Sequence, residues 1–219
     1  MEGVSLNHVI LGLVAMGISL TLILLGGKPS IKPTKYQALL EGYLRFVRGM
    51  LKDNIGDEGL RYTPLIAAMG LFIFFSNLLG MVPGLDAPTG NMNTNLAMAL
   101  TVFLFYNFEG IRVNGLAYFK HFLGPIKFLA PFFVVVEIIS HIARPITLSL
   151  RLFANMKGGA ILLLALVGIA IKNPLTMAVS PVALVFIVAI KFLAIFIQTY
   201  VFMILSVVYL AGAVAHEEH

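Results

Sequence analysis

The 219-residue sequence has no cysteine and no tryptophan, and only 11% of it is Asp, Glu, Lys or Arg. Without cysteine there is no disulfide framework, no thiolate metal site and no cysteine nucleophile. Without tryptophan, any interfacial aromatic belt falls to the seven tyrosines. The five histidines show no HxxxH or HExxH spacing, so no metal is expected, nor any other cofactor. A GxxxxGK(S/T) loop is missing too, so the chain is expected to have no nucleotide site of its own. A soluble domain carries about 25% charged residues, so this scarcity of charge excludes an ordinary soluble globule. The net charge of +5 therefore does not point to nucleic acid; it reads as a topology signal.

What the chain has instead is apolar length. Fifty-nine per cent is AVILMFWYC, and the mean hydropathy is +0.96. A bilayer-spanning helix needs about 20 mostly apolar residues. The first candidate covers 7–27 and carries no Lys, Arg, Asp or Glu. Glu2 stands where a signal peptide has basic residues, and Lys28-Pro29 replaces a small-residue cleavage site, which favours a retained helix. Residues 28–62 hold Lys28, Lys32, Lys35, Arg45, Arg48, Lys52 and Arg61, with Glu41, Asp53, Asp57 and Glu58. Leu39, Leu40, Tyr43, Leu44, Phe46, Val47 and Leu51 recur there at helical spacing, as in an amphipathic helix on a membrane surface. Pro29 and Pro33 precede it; Gly56 and Gly59 follow.

A second span covers 63–83, a turn-rich loop 84–91, and a third span 93–113. Residues 114–127 are mixed, with Lys120, His121 and Lys127, and Pro125 breaks them. Two long apolar segments follow, 131–171 and 176–215. The first would measure about 60 Å as a helix, too long to stand upright in a bilayer, so it must tilt or bend. Pro145 offers a bend, and Pro174 and Pro181 mark the start of the second segment. The fold expected is an all-α integral membrane protein of about five transmembrane helices plus the surface helix, in one membrane domain over 1–219. Basic residues gather in 28–62 and at Arg112, Lys120 and Lys127, while the alternate loops hold only Lys172. The positive-inside rule then puts segment 28–62 and the C-terminus in the cytoplasm and the N-terminus outside.

Ionisable residues inside apolar helices are costly and mark function. Segment 131–171 carries Glu137, His141, Arg144, Arg151 and Lys157. With Arg151 at zero on a helical wheel, Arg144 falls at about +20°, Asn155 at about +40°, Glu137 at about +40° and His141 at about +80°. These groups form one polar stripe, and Thr147, Ala154 and Gly158 lie on or near it. Small residues there let another surface approach closely. Lys157 falls off the stripe. Glu137 and Arg144 lie two turns apart, about 10 Å, so a direct ion pair is strained; Arg144 can instead snorkel to the cytoplasmic interface. Arg151 has no Asp or Glu within four residues and needs a partner from elsewhere. A guanidinium attracts or blocks carboxylates but does not shuttle protons.

In the last segment Lys191 and Gln198 share a face, with Tyr209 near it, either as packing glue or as the lining of a polar path. Ser76, Asn77, Asn93, Asn95 and Asn107 either bond between helices or line a water-filled vestibule. Glu109, near a helix end, is expected to be solvated.

Several runs are recognisable. Arg144-Pro145-Ile146-Thr147-Leu148-Ser149-Leu150-Arg151-Leu152-Phe153-Ala154-Asn155-Met156, with Glu137-Ile138-Ile139-Ser140 before it, resembles the signature of the a subunits of F-type ATP synthases. Phe75-Ser76-Asn77-Leu78-Leu79-Gly80-Met81-Val82-Pro83 resembles that family's second-span motif. Asn93-Thr94-Asn95-Leu96-Ala97-Met98-Ala99-Leu100 resembles its third, and Gln198-Thr199-Tyr200-Val201-Phe202 its end.

The resemblance implies a stator subunit facing a rotating ring of c subunits, with the last two helices forming a long tilted hairpin against the ring. It implies two offset half-channels for H⁺ and an essential Arg151 that separates them. Asn155 and Gln198 would line the path near Arg151, and Glu137 occupies a carboxylate position of the cytoplasmic half-channel. The family usually carries a titratable group where this chain has Ala160, and Glu or His where it has Lys191. Water, with Lys191 and Lys157, is the expected replacement for that relay pair. The b subunits of the peripheral stalk and the lipid bilayer are further partners implied; nucleic acid is not. The location expected is a bacterial plasma (inner) membrane, an organelle-encoded copy being the alternative. Two other functions stay open at this point: a Na⁺-coupled version of the same subunit, and a stand-alone secondary transporter. A purely structural subunit leaves Arg151 unexplained.

Overall fold

A computed structural model of the chain describes residues 6–25, 34–82, 85, 87–115, 118, 130–170 and 174–215. Lys28, Lys32, Pro29, Pro33, Gly84, Asp86, Lys120, His121, Pro125, Lys127, Lys172 and residues 217–219 lie outside the described residues. The described chain is helical: α1 (Leu6–Leu25), α2 (Lys35–Ile55), a 3₁₀ turn (Asp57–Tyr62), α3 (Thr63–Leu79), a second 3₁₀ turn (Pro88–Gly90), α4 (Met92–Asn114), α5 (Ala130–Ala170) and α6 (Pro174–Val214).

Among the described residues four stretches are long and apolar enough to cross a membrane: Asp57–Leu79, Met92–Asn114, Phe132–Ile169 and Ser180–Val214. The helix α1 has 20 residues, about 30 Å at 1.5 Å per residue, with a shorter apolar stretch over Val9–Leu24. The second span stops four residues short of the expected Pro83, because the chain turns after Leu79 at Gly80. A Cβ at Gly80 would lie 2.5 Å from Ala87 Cβ and 2.7 Å from Met156 Cε, so glycine lets the incoming loop and α5 close on this corner. Pro174 opens α6, whereas Pro181 and Pro145 sit inside helices that run on through them.

The core gathers Val47 and Leu51 of α2, Ile66 and Ile73 of α3, Val102 and Tyr106 of α4, Leu148 and Leu152 of α5, and Phe202 and Val207 of α6. In lipid the hydrophobic effect does not drive such contacts; close packing and interhelical hydrogen bonds do. Gly70 shows the packing most plainly. A Cβ there would run into Met203 Sδ of α6 and the Tyr43 hydroxyl of α2. That hydroxyl donates to the Ala67 carbonyl at 2.8 Å, and burial pushes the phenol above its ordinary pKa.

The amphipathic helix differs from expectation in which apolar side chains face inward. Tyr43, Leu44, Val47 and Leu51 pack on the core, but Leu39 is 76% and Phe46 48% exposed. Together with Tyr36, Leu40 and Phe196 they line an apolar cavity of about 1030 Å³. The helix ends at Gly56, whose φ of 87° is left-handed and favours glycine. Lys52 Nζ pairs with Asp57 Oδ1 at 2.9 Å across that corner, and this bond holds the ammonium above its usual pKa.

Candidate functional site

The helices α5 and α6 pack on each other, and each also packs on α4. Only 6% of the best apolar window of α5 or of α6 is buried, against 44% for the span that includes α3, so both long helices present most of their apolar surface outward. Arg151 sits one residue past the midpoint of the 41-residue α5. It is exposed, as are Thr147, Ala154 and Gly158 of the same stripe. Leu152, next to it, is buried in the core, which fixes the direction in which Arg151 leaves the helix. Among the described residues no acid pairs with it.

Gln198 of α6 is buried, and its amide nitrogen has no hydrogen-bond partner among the described residues. Lys191, two turns earlier, lies along α5: a Cβ at Gly159 would meet Lys191 Cε at 2.9 Å and its Cδ and Cγ at 3.2 Å. Lys191 and Asn155 thus reach one small cavity, which Asn77 of α3 also lines. Lys157 does not join them. Its stem points toward the Pro88–Gly90 turn, 3.8 Å from where a Gly90 Cβ would be.

The three vestibule asparagines separate. Asn77 accepts a hydrogen bond from the Thr89 hydroxyl at 2.6 Å, and Asn95 donates to the Thr89 carbonyl at 2.8 Å. Asn77, Thr89 and Asn95 are all buried. Asn93 is exposed and serves the start of α4, its backbone N–H donating to Asn91 Oδ1 at 2.9 Å. Ser76 Oγ is buried with no partner among the described residues.

Toward the start of α5, Arg144 Nη2 lies 3.6 Å from Glu137 Oε1, and its guanidinium carbon sits 5.3 Å from the Tyr209 ring centre. The strain expected across two turns is absent, because both side chains are long and lean toward each other on one face. Arg144 thus reaches back toward the N-terminal end of α5, between Glu137 and Tyr209 of α6. His141 leaves the stripe altogether. It is buried in the seam with α4, its Nε2 2.8 Å from Asn107 Oδ1 and 3.5 Å from the Tyr106 hydroxyl. An offset of about 80° from Arg151 is enough to turn it from the outer face into a helix contact. Asn107 also accepts from the Tyr118 hydroxyl at 3.0 Å, so its role is bonding between segments.

Glu109 overturns the expectation of a solvated charge. It is 4% exposed. The Tyr62 hydroxyl donates to its Oε2 at 3.0 Å, Arg112 Nη1 to its Oε1 at 3.0 Å, and Arg61 Nη2 lies 3.4 Å from Oε2. The turn Asp57–Tyr62 carries Arg61 and Tyr62 against this end of α4. No local pattern could reveal that contact, since Tyr62 and Glu109 are 47 residues apart. Thr89 and Gly159 were equally silent in the sequence. A threonine in a Pro-Thr-Gly turn reads as loop, and a glycine's neighbour is visible only in three dimensions.

The arrangement is thus an exposed cation at mid-helix, polar side chains on one flank and an ion-paired carboxylate two helical turns beyond Arg144. The ATP synthase A chain family matches residues 9–211 of this sequence. ATP synthase subunit a of Aquifex aeolicus (strain VF5) is 72% identical over 213 residues, covering 97% of this chain and 99% of the relative. The subunits of the same name from Hydrogenobaculum sp. (strain Y04AAS1) and Sulfurihydrogenibium sp. (strain YO3AOP1) are 58% and 48% identical. Each again covers 97% of this chain, with 98% and 99% of the relative. The chain belongs to the ATP synthase A chain family.

Proposed function

We propose that this chain is the proton-translocating stator subunit of a rotary ATP synthase, acting as one membrane domain against a ring of c subunits. One observation carries the reading: Arg151 lies at the middle of a membrane-length helix, exposed, with no acid beside it among the described residues. Placing an unpaired Arg at the bilayer centre costs about 2.5–3.5 kcal/mol or more. A carboxylate on a neighbouring ring supplies the missing partner. The fixed guanidinium attracts that carboxylate when it is ionised and stops it crossing until it has taken up a proton.

Lys191, Asn155 and Gln198, with the vestibule of Asn77, Asn93 and Asn95, form the outer access to the ring. Glu137 serves the cytoplasmic access, and His141 stands behind it on the α4 side. The pair α5 and α6 forms a tilted hairpin against the ring, the b subunits of a peripheral stalk hold the chain still, and the rest meets lipid. The membrane is a bacterial plasma membrane, with the N-terminus outside and the C-terminus in the cytoplasm. The relatives named ATP synthase subunit a support this reading over a Na⁺-coupled version or a stand-alone carrier.

The test is ATP-driven acidification of vesicles carrying the whole complex, wild type against Arg151→Ala. Loss of pumping with the subunit still assembled is the expected result. Undiminished pumping overturns the reading.

A further inference from the structure

A second cavity, of about 470 Å³, lies beside the large apolar one, walled by α1, α2, the Asp57–Tyr62 turn and α3. Leu40 and Leu71 line both spaces, so the two adjoin. Together they follow α3 from Thr63 to Phe75. Those 12 residues rise about 18 Å, against about 15 Å for half of a bilayer's hydrocarbon core. Three hydroxyls on this track are already engaged. Tyr43 donates to the Ala67 carbonyl and Thr199 to the Ile195 carbonyl, each at 2.8 Å, and Thr63 donates to the Leu60 carbonyl at 2.7 Å. Such a lining takes hydrocarbon at no cost in lost hydrogen bonds. The cations stand at one end only: Arg48 and Arg61 line the smaller cavity, and no charged residue lines the larger. Arg61 also pairs with Glu109, but Arg48 has no ion pair or hydrogen bond among the described residues. Glu41 and Asp53, the acids of α2, line neither space.

We infer that this track binds one anionic phospholipid of the leaflet that meets α2, with its phosphate on Arg48 and Arg61 and an acyl chain laid along α3 toward Phe74 and Phe75. A guanidinium presents a planar fork of donors that matches phosphate oxygens. Basic pockets between membrane helices take acidic head groups for this reason. Two guanidiniums also select the sign of the head. A zwitterionic lipid brings an ammonium of its own against them, whereas an anionic lipid does not. The occupant fits at both ends: the charge lies where α3 begins, and the uncharged part of the track runs on to the depth a chain reaches. The lipid then joins α1, α2 and α3 through a groove that their own side chains leave open. This inference requires only that the chain span a membrane with α2 at its surface, and it is independent of proton transport.

The test uses the complete ATP synthase in phosphatidylcholine vesicles that carry a small share of a lipid with a photoactivatable acyl chain. The head group of that probe is either phosphatidylglycerol or phosphatidylcholine, and mass spectrometry locates the label, normalised to assembled complex. Label on the peptides that hold Leu40 and Leu71 is expected to be about tenfold stronger from phosphatidylglycerol. Arg48→Gln is expected to cut it about fivefold, the equivalent of about 1 kcal/mol for one cation near an anionic membrane surface. Arg45→Gln is the control, because Arg45 is exposed on the same helix but lines neither cavity, and it is expected to leave the label unchanged. Ala68→Phe keeps both arginines and fills the smaller cavity, which Ala68 lines, so it is expected to remove the label as well. Equal label from the two probes overturns the inference, since the track then holds ordinary bilayer lipid. Wild-type labelling of Arg48→Gln overturns it too. So does an absence of label from both probes, which means that a partner's helix covers the groove.

Discussion

Arg144 reaches back two turns of its own helix to Glu137, with Nη2 3.6 Å from Oε1, while its guanidinium lies over the Tyr209 ring of α6. Both charged side chains are about a third exposed, at 32% and 35%. Such a pair adds at most about 1 kcal/mol of stability, and the ring contact about 0.5–1 kcal/mol. The thermal stability of Arg144→Gln should therefore change little. The rate should change more, because Glu137 loses the cation that holds it in place. We expect acidification to slow about fivefold, the equivalent of about 1 kcal/mol in a barrier, with Arg144→Lys recovering most of it. An Arg144→Gln complex that pumps normally would place the pair outside the proton path.

Thr89→Val tests the vestibule. The substitution keeps the shape and removes the hydroxyl that donates to Asn77 at 2.6 Å. A buried oxygen left without its donor costs about 1–3 kcal/mol. Thermal unfolding of the detergent-purified complex should show that loss for valine, and much less for Thr89→Ser, which keeps a donor. Equal stability of the two variants would mean the bond contributes nothing.

Gly70→Leu tests how α3 seats against α2 and α6. The space a side chain needs is held by Met203 and by the Tyr43 hydroxyl that bonds Ala67. Overpacking of this kind costs about 1–3 kcal/mol. We expect lower thermal stability and less assembled complex in membranes. Gly49→Ala is the control, since a Cβ there meets nothing within 4 Å. It should be neutral or stabilise α2 by about 0.5–1 kcal/mol.

How much was legible beforehand follows from what a sequence can show. Arg151 stood out because a charge inside an apolar run has no bland explanation. The long helices stood out because apolar length is read directly, and α5 and α6 fall within two residues of the expected limits. A helical wheel also grouped Glu137 and Arg144 correctly. It failed for His141, because a wheel carries angles and not neighbours, and the seam with α4 begins where Phe103, Tyr106 and Asn107 meet the helix. Leu39 and Phe46 belonged to an apolar face by spacing. Whether this chain itself covers that face depends on α3 and α6, far away in sequence.

Glu109 gives the sharpest separation of charge from hydrogen bonding. Its carboxylate is buried, but the arginines beside it are 41% and 61% exposed, so water screens both ion pairs. The Tyr62 hydroxyl is different: Tyr62 is 4% exposed and donates directly to Glu109. Glu109→Gln keeps an oxygen for that hydroxyl and leaves two arginines that can turn to solvent. Glu109→Ala removes the acceptor as well, and an orphaned buried donor costs about 1–3 kcal/mol. Thermal unfolding should therefore rank wild type first, Glu109→Gln close behind and Glu109→Ala clearly last. Tyr62→Phe, which removes the donor but keeps the ring on Phe105, should lose less than Glu109→Ala. If Glu109→Gln falls as far as Glu109→Ala, the negative charge itself holds the Asp57–Tyr62 turn to α4, and the screening assigned to Arg61 and Arg112 is wrong.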